Sequence, residues 1–264
     1  MDTDMNRISD LDIYLTRMQR SILDKMFFID KVFEPFKYIL DFGCANGELI
    51  KAMKPMFPDY EYSGYDISRE MIEAARQNVP DAKFYDNWDE IDIPFDESLI
   101  NISSTIHEVY SYGTEKDIDQ FWDRVFGSGF RYVTIRDMMF SQAENIPVRK
   151  EQLETIRNSI YAEWLESFES VWGKLTKQRQ LVHFLLKYKY TQNWDREVHE
   201  NYFPVFTEEL MKRIPDSYRL VYKDVFTLPY TSWQIRKDFG FELTEHTHIK
   251  LILENIPLIE KTTR

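Results

Sequence analysis

The most informative part of the chain is Tyr38-Ile39-Leu40-Asp41-Phe42-Gly43-Cys44-Ala45-Asn46-Gly47. Its apolar start, residues 38–40, predicts a short buried strand that ends at Asp41. A turn of small residues follows, and a helical pattern begins directly after it. The glycines allow positive φ and close approach of a ligand to the backbone, and the helix start presents N–H groups without partners. The pattern predicts a strand, a turn and a helix with a ligand at the turn, although an ordinary strand-to-helix connection has the same appearance.

A second strand that ends in an acid is predicted at Tyr62-Ser63-Gly64-Tyr65-Asp66. Asp66, at the strand tip, is placed to accept hydrogen bonds from a ribose diol. With this pair of motifs the sequence resembles the class I S-adenosylmethionine-dependent methyltransferases, whose first motif has the form acid-x-Gly-x-Gly-x-Gly. Residues 41–47 match that form, except that Ala45 replaces the middle glycine. The rival is a dinucleotide-binding Rossmann domain, but its third glycine would fall on Glu48, and an acid there would repel a pyrophosphate.

The resemblance implies an α/β fold: a Rossmann-like, doubly wound, mostly parallel seven-stranded sheet whose last strand is antiparallel. We expect residues 1–140 and 207–264 to form this core, and residues 141–206 to form an inserted, mostly helical substrate or lid subdomain after the fifth strand. The sequence pattern predicts strands at residues 38–40, 62–66, 82–86, 98–103, 130–135, 218–226 and 247–253. The stretch 228–245 is predicted to be a long aromatic loop.

A helix is predicted ahead of the first strand. Helical spacing is shown there by Leu11, Leu15, Met18, Ile22 and Met26. Packing on the core explains this pattern, and in the resembled family such a helix often also borders the cofactor cleft.

The resemblance also implies the cofactor, S-adenosyl-L-methionine, with S-adenosyl-L-homocysteine as the product. In the family an acid after the third strand receives the adenine amino group, and Asp86 matches this position, with Asn87 able to share the role. The alternative is that Asp86 is only a turn residue. The implied cofactor-binding residues are Asp41, Gly43, Cys44, Ala45, Gly47, Asp66, Ile67, Asp86, Asn87 and Ser103.

Catalytic candidates follow the fourth strand, at His107 and Glu108. Ligands of open parallel sheets bind outside the carboxyl ends of the strands, so both residues are expected near the methyl acceptor. A histidine can accept a proton near pH 7, and Glu108 could orient it or bind the acceptor. Alternatively, His107 caps a helix or bonds a backbone carbonyl. The stretch lacks the Asn/Asp-Pro-Pro-Tyr/Phe motif of adenine and glutamine N-methyltransferases, which argues against the exocyclic amine of a base as acceptor.

Candidate substrate-binding residues are Tyr110, Arg136, Tyr188, Trp194 and Tyr202. At the end of the fifth strand, Arg136 is expected to pair with the adjacent Asp137; the alternative is contact with an anionic substrate. In the predicted insertion, residues 171–190 contain five basic residues and no acid. Basic residues interleaved with aromatic ones can bind RNA or an anionic substrate, but more often form the two faces of a helix.

Composition narrows the function further. The net charge of −12, from 33 basic and 45 acidic residues, disfavours non-specific binding to nucleic acid or to an anionic membrane. The single cysteine, Cys44, excludes an intrachain disulfide, fits a reducing cytoplasmic compartment and is interpreted as a packing residue. The N-terminus lacks a signal-peptide pattern, no metal ligand set is predicted, and no apolar run has membrane length.

The predicted function is methyl transfer from S-adenosylmethionine to an oxygen or nitrogen of a small molecule. Three alternatives stay open: a methyltransferase acting on RNA such as tRNA or on protein, group transfer from a modified S-adenosylmethionine, and an S-adenosylmethionine-binding protein without turnover.

Overall fold

A central sheet of seven strands organises the structure, a computed structural model that describes residues 21–32 and 35–256. The strands are β1 Tyr38–Phe42, β2 Glu61–Tyr65, β3 Lys83–Tyr85, β4 Ser98–Ser103, β5 Tyr132–Met138, β6 Tyr218–Phe226 and β7 His248–Asn255. Their order in the sheet is β3-β2-β1-β4-β5-β7-β6. Strands β1 to β5 pair in parallel, and β7 is antiparallel to both of its neighbours. The predicted α/β sheet with an antiparallel last strand is therefore confirmed.

Helices cover the sheet and fill the chain between β5 and β6. Those that precede β5 are α1 Ile22–Lys25, α2 Glu48–Met56, α3 Arg69–Asn78, α4 Ile106–Tyr112 and α5 Glu115–Gly127. Those that follow it are α6 Lys150–Arg157, α7 Ala162–Trp172, α8 Gln178–Lys187, α9 Trp194–His199, α10 Thr207–Arg213 and α11 Pro229–Phe239. Within the described ranges, none of these helices combines the length and the apolar character that crossing a membrane requires.

The core forms because the central strands are apolar on both faces. Leu40 and Ile100 pack on one face of the sheet against side chains of α5. Ile39 and Leu99, their neighbours along the strands, pack on the other face against side chains of α2 and α3. Successive strand residues point to opposite faces, so a continuous apolar run buries both sides, as parallel sheets require. All residues of β4 are buried, which fits its central place.

Two helices of the core begin with side-chain caps. Ser68 Oγ accepts a hydrogen bond from the Met71 amide at 3.3 Å, ahead of α3. Thr114 and Asp117 form a reciprocal capping box at the start of α5. These caps satisfy N–H groups that a helix start leaves without partners. Of the helix predicted before β1, the residues Leu11, Leu15 and Met18 lie outside the described part of the chain.

The helices between β5 and α10 bury an apolar cluster of their own. Leu153, Phe168 and Phe184 belong to it, together with Ile235 and Phe239 from α11. The prediction of a loop over residues 228–245 was therefore wrong. Pro229 opens α11, Gly240 ends it in a left-handed conformation, and the side chains four positions apart pack inward.

Tight packing beneath the turn that follows β1 gives a stability prediction. A Cβ atom at Gly64 would lie 2.6 Å from Cys44 Sγ and 2.7 Å from Phe84 Cδ1. We expect Gly64→Ala to lower the free energy of unfolding by about 1–3 kcal/mol, the usual effect of overpacking. The control is Gly127→Ala in α5, where an added Cβ meets nothing within 4 Å and the change should be neutral or slightly stabilising. Urea denaturation compares the two variants, and equal unfolding midpoints would contradict this account of the packing.

Candidate active site

A large cleft opens at the carboxyl ends of β1, β2, β4 and β5, with a volume of about 1000 Å³. Its sheet-side wall contains Gly43, Ala45, Asp66, Ser103, Thr105, His107, Glu108 and Arg136. Its opposite wall contains Leu185, Leu186, Tyr188, Tyr190, Tyr202 and Tyr230. Ligand pockets usually measure about 300–1,000 Å³, so this cleft has room for a nucleoside cofactor and an acceptor together.

The turn after β1 holds three residues in the left-handed region of backbone conformation. The φ values are +75° at Gly43, +45° at Ala45 and +78° at Gly47. Asp66 fixes the turn, because one carboxylate oxygen accepts the Ala45 amide and the other accepts the Ser68 amide, both at 2.9 Å. An L-residue at positive φ costs about 1–2 kcal/mol, so Ala45 holds strain at the position where the resembled motif has glycine.

The predicted cofactor residues separate into two groups. Gly43, Ala45, Asp66 and Ser103 line the cleft. The residues that are not part of its wall are Asp41, Cys44, Gly47, Ile67, Asp86 and Asn87. Asp41 is buried beneath the turn and accepts a hydrogen bond from Asn101 at 2.8 Å, and burial raises its pKa to about 6.

The remaining members of the second group have local structural roles or lie on the surface. Cys44 packs in the apolar core, which confirms its interpretation as a packing residue, and burial raises the pKa of its thiol. Asn87 Oδ1 accepts the Asp89 amide and so begins a short 3-10 turn. The side chain of Ile67 is exposed next to Asp66.

Lys25, at the end of α1, is a cleft residue that the sequence analysis missed. It is only 6% exposed, and burial lowers its pKa. Within the described ranges, no carboxylate lies at ion-pair distance from its ammonium group, although Asp41 and Asp137 act on it electrostatically from further away. The predicted helix before β1 placed Lys25 near the cleft, but nothing in the sequence distinguished it from the other polar residues of that helix.

Arg136 and Asp137 do not pair with each other, so that prediction was wrong. Neighbouring residues of a strand point to opposite faces of the sheet. Arg136 donates from Nε to Asp24 at 2.8 Å and from an Nη atom to Ser104 Oγ at 2.9 Å, and it lines the cleft. Asp137 instead accepts the amides of Thr105 and Ile106, at 2.9 and 2.7 Å.

His107 is held between two buried carboxylates. Its Nδ1 lies 2.6 Å from Asp137 Oδ1, and its Nε2 lies 3.2 Å from Glu200 Oε1. Burial alone would lower the pKa of His107, but these carboxylates outweigh it and raise the pKa to about 10. At neutral pH the ring is an imidazolium that donates from both nitrogens. This geometry contradicts the interpretation of His107 as the group that accepts a proton.

Glu108 is the group placed to change its protonation near neutral pH. Burial and the charge of Glu200 raise the pKa of Glu108 to about 7. Its Oε1 accepts from an Nη atom of Arg196 at 3.0 Å, and its side chain remains 29% exposed in the cleft wall. Arg196 also contacts Glu200 Oε2 at 3.1 Å. The series Asp137, His107, Glu200, Arg196 and Glu108 is called the buried ion chain below.

Residues 141–206, which contain α6 to α9 and are called the helical segment below, contribute three site residues that the sequence analysis did not single out: Arg196, Glu197 and Glu200. The only signal was their cluster of alternating charges ahead of Tyr202. His107, Glu108 and Glu200 hold ligand atoms within 4.8 Å of one another, as a metal site would require. However, the Arg196 guanidinium already contacts the carboxylates of both Glu108 and Glu200. The positive charge between them is therefore supplied by Arg196 and not by a metal ion.

Two of the five predicted substrate residues lie away from the cleft. Trp194 donates from its indole to Ser167 Oγ at 2.9 Å and packs in the apolar cluster of the helical segment, because its ring faces α7. Tyr110 accepts from the Trp122 indole at 2.9 Å and packs against the sheet core. Arg136, Tyr188 and Tyr202 line the cleft. The Tyr202 hydroxyl donates to Glu197.

Known proteins resemble this chain in one stretch of sequence and in the fold. Residues 40–127 match the family described as "Methyltransferase domain". The pyocyanin biosynthetic protein PhzM aligns with 96% of this chain and 61% of its own length, with a TM-score of 0.53 and 12% identity. Geranyl diphosphate C-methyltransferase from Streptomyces coelicolor A3(2) aligns with 89% of this chain and 77% of its own, with a TM-score of 0.51 and 10% identity. These likenesses concern the fold.

The charge state of His107 can be tested directly. We expect its ring nitrogens to keep imidazolium chemical shifts from pH 6 to about pH 9 in a nitrogen-15 NMR titration, because the pKa is raised from 6.5 to about 10. The folded state then binds more protons than the unfolded state, so this contribution to stability is complete below pH 6.5 and is lost as the pH rises through 10. The signal is assigned by its loss in His107→Gln. A midpoint near pH 6.5 would contradict the two-carboxylate geometry.

The strand order, the glycine turn and Asp66 at the ends of β1 and β2, and the domain match over residues 40–127 agree with one another. Residues 40–127 therefore form a methyltransferase domain, and the chain has the fold of the class I S-adenosylmethionine-dependent methyltransferases.

Proposed function

We propose that this protein transfers the methyl group of S-adenosylmethionine to an oxygen or nitrogen of a small molecule. The observation that carries the proposal is the position of Glu108: it lies in the wall of the same cleft as the β1 turn, beside Arg196, with a pKa of about 7. A group that can accept a proton near neutral pH is thus close to the cofactor site.

The residues at the cofactor end fit S-adenosylmethionine. Asp66 carries a carboxylate that accepts hydrogen bonds, as a ribose diol requires, and Gly43 and Ala45 expose backbone beside it. Lys25 is a buried ammonium without a carboxylate at ion-pair distance in the described ranges. The carboxylate of the methionine part of the cofactor would form an ion pair with it. When bound, the cofactor supplies a methyl group on a sulfonium centre.

At the acceptor end we assign the proton to Glu108. The acceptor O–H or N–H would give its proton to the Glu108 carboxylate as its oxygen or nitrogen bonds the methyl carbon, whose bond to sulfur would break to leave S-adenosyl-L-homocysteine. His107 would act as a positioning residue, since its two hydrogen bonds hold Asp137 and Glu200, and Glu200 in turn holds Arg196 beside Glu108. Most of the rate enhancement would come from holding both reactants in line.

The helical segment would act as the wall that selects the acceptor. Tyr188, Tyr190 and Tyr202 line the cleft and give it the aromatic wall that small-molecule pockets commonly have. An RNA acceptor finds less support. In the basic stretch of residues 171–190, Lys174 pairs with Glu169, Lys189 pairs with Asp238, and Lys187 is buried. The stretch therefore offers little continuous basic surface for a phosphate backbone.

The cofactor assignment predicts two separate losses of affinity. Asp66→Ala and Lys25→Gln should each weaken binding of S-adenosylmethionine by about 1.5–3 kcal/mol, the contribution of a hydrogen bond to a charged group. Isothermal titration calorimetry measures the affinities, with Asp59→Ala and Lys116→Gln as exposed controls of the same chemical type. Wild-type affinity in a folded variant would remove that residue from the cofactor site.

The base assignment predicts a change in both the rate and its pH dependence. Glu108→Gln keeps the side-chain shape but should lower turnover by about 10²–10⁴-fold, with cofactor affinity nearly unchanged. Wild-type turnover should rise as the pH passes through about 7, because Glu108 must be ionised to accept the proton. That rise should be absent in Glu108→Gln and retained in the exposed control Glu166→Gln. An unaltered pH profile would show that Glu108 is not the base.

The acceptor class is tested with a methyl-labelled cofactor. The protein is incubated separately with a metabolite extract, with tRNA and with a protein extract, and the label is followed by mass spectrometry. Label in a small molecule supports the proposal, whereas label in tRNA or protein favours the first alternative. Cofactor binding without label in any fraction would favour a binding protein without turnover.

A further inference from the structure

A second cavity of about 300 Å³ lies in the helical segment and shares no lining residue with the main cleft. Trp172 at the end of α7, Lys177 and Arg179 at the start of α8, and His183 one turn further line it. Asn145 lines it too, and its Oδ1 atom is buried without a hydrogen-bond partner.

The cavity is positively charged although the whole chain carries a net charge of −12. No aspartate or glutamate is among its lining residues. Within residues 21–32 and 35–256, no carboxylate lies at ion-pair distance from Lys177 or Arg179. Arg179 lies over the Phe206 ring, 4.7 Å from its centroid, and Glu209 acts on it only from beyond ion-pair distance. Two cations thus face one small cavity without a fixed counter-charge.

His183 gives the cavity a buried polar group as well. It is 5% exposed and lines the cavity, and its Nε2 atom lies 3.2 Å from the Tyr202 amide nitrogen and from the Glu200 carbonyl. Its Nδ1 atom has no hydrogen-bond partner within the described part of the chain. When Nε2 accepts the Tyr202 amide, Nδ1 carries the ring proton and can donate it to a ligand.

We propose that this cavity is an accessory binding site for an anionic group, a carboxylate or a phosphate, held by Lys177, Arg179 and His183. Arginine and lysine side chains form their strongest hydrogen bonds with such oxygens. The indole of Trp172, another lining residue, packs against the His183 ring with 4.9 Å between the ring centroids. The cavity volume suits a small ion or the acidic end of a larger molecule.

The site is connected to the acceptor end of the main cleft through one residue. The Nε2 atom of His183 contacts backbone atoms of Glu200 and Tyr202, and the side chains of both line the main cleft. An anion that fixes the His183 ring therefore also fixes the backbone that carries part of the buried ion chain. Anion binding at the accessory site should consequently restrict the positions of Glu200 and Tyr202 in the wall of the main cleft.

The test is calorimetric titration of the full-length protein with two probes, inorganic phosphate and acetate, at constant ionic strength. We expect saturable binding of at least one probe, weakened about tenfold or more by Arg179→Gln and by Lys177→Gln, the loss for one charge-assisted hydrogen bond. The matched control Arg69→Gln removes an exposed cation on α3 and should leave the affinity unchanged. The probe that binds more tightly identifies the phosphate or the carboxylate as the preferred group.

Two results would overturn the proposal. One is the absence of saturable binding of either probe. The other is binding that Arg179→Gln and Lys177→Gln weaken no more than Arg69→Gln does, which would indicate diffuse attraction to the surface. Lys177 is exposed, so its substitution is not expected to disturb folding. Arg179 is half-buried, so thermal unfolding of Arg179→Gln checks that this variant is still folded.

Discussion

The arrangement of the cleft depends on the ion pair between His107 and Asp137. Asp137 lies near the end of β5. Its carboxylate contacts the amides of Thr105 and Ile106 and the ring of His107, which all follow β4 in the chain. One buried carboxylate thus fixes the start of α4 relative to the neighbouring strand. Removing one partner of a buried pair leaves an uncompensated charge, a loss of about 3–5 kcal/mol. Both the position of Glu108 and the contact with the helical segment follow from this pair.

The buried ion chain extends this constraint across the cleft. Glu200 and Arg196 belong to the helical segment, whereas His107 and Glu108 belong to the sheet core. Each charge contacts an opposite charge, so moving one side chain would leave its partner without a counter-charge. Burial and the like charge of Glu200 raise the pKa of Glu108, whereas at Asp137 the His107 cation outweighs burial and lowers the pKa.

Sequence patterns predicted those parts of the molecule whose structure depends on residues close together in the chain. The end of β1, the glycine turn and Asp66 carry their signal in residue type and spacing, and β4 and β6 were predicted to the residue. The partners of His107 could not be found this way, because they come from β5 and from the chain beyond α9. Whether a histidine is a base or a cation depends on those partners. The prediction of a loop over residues 228–245 was wrong for a related reason. Ile235 and Phe239 pack against helices that are distant in sequence, so the local pattern did not show that they form a buried helix face.

The contact between Arg196 and Glu108 joins residues 88 positions apart in the chain. Closing so long a loop is slow compared with forming the strands and helices between them, and contacts of high sequence separation form late in folding. The turn after β1 is hydrogen-bonded to Tyr65, Asp66 and Asn78, none of which belongs to the helical segment. During folding, the cofactor end of the cleft can therefore be in place before the acceptor end exists. A partly folded chain would then have the turn in place while the opposite wall of the cleft, which the helical segment supplies, is still missing.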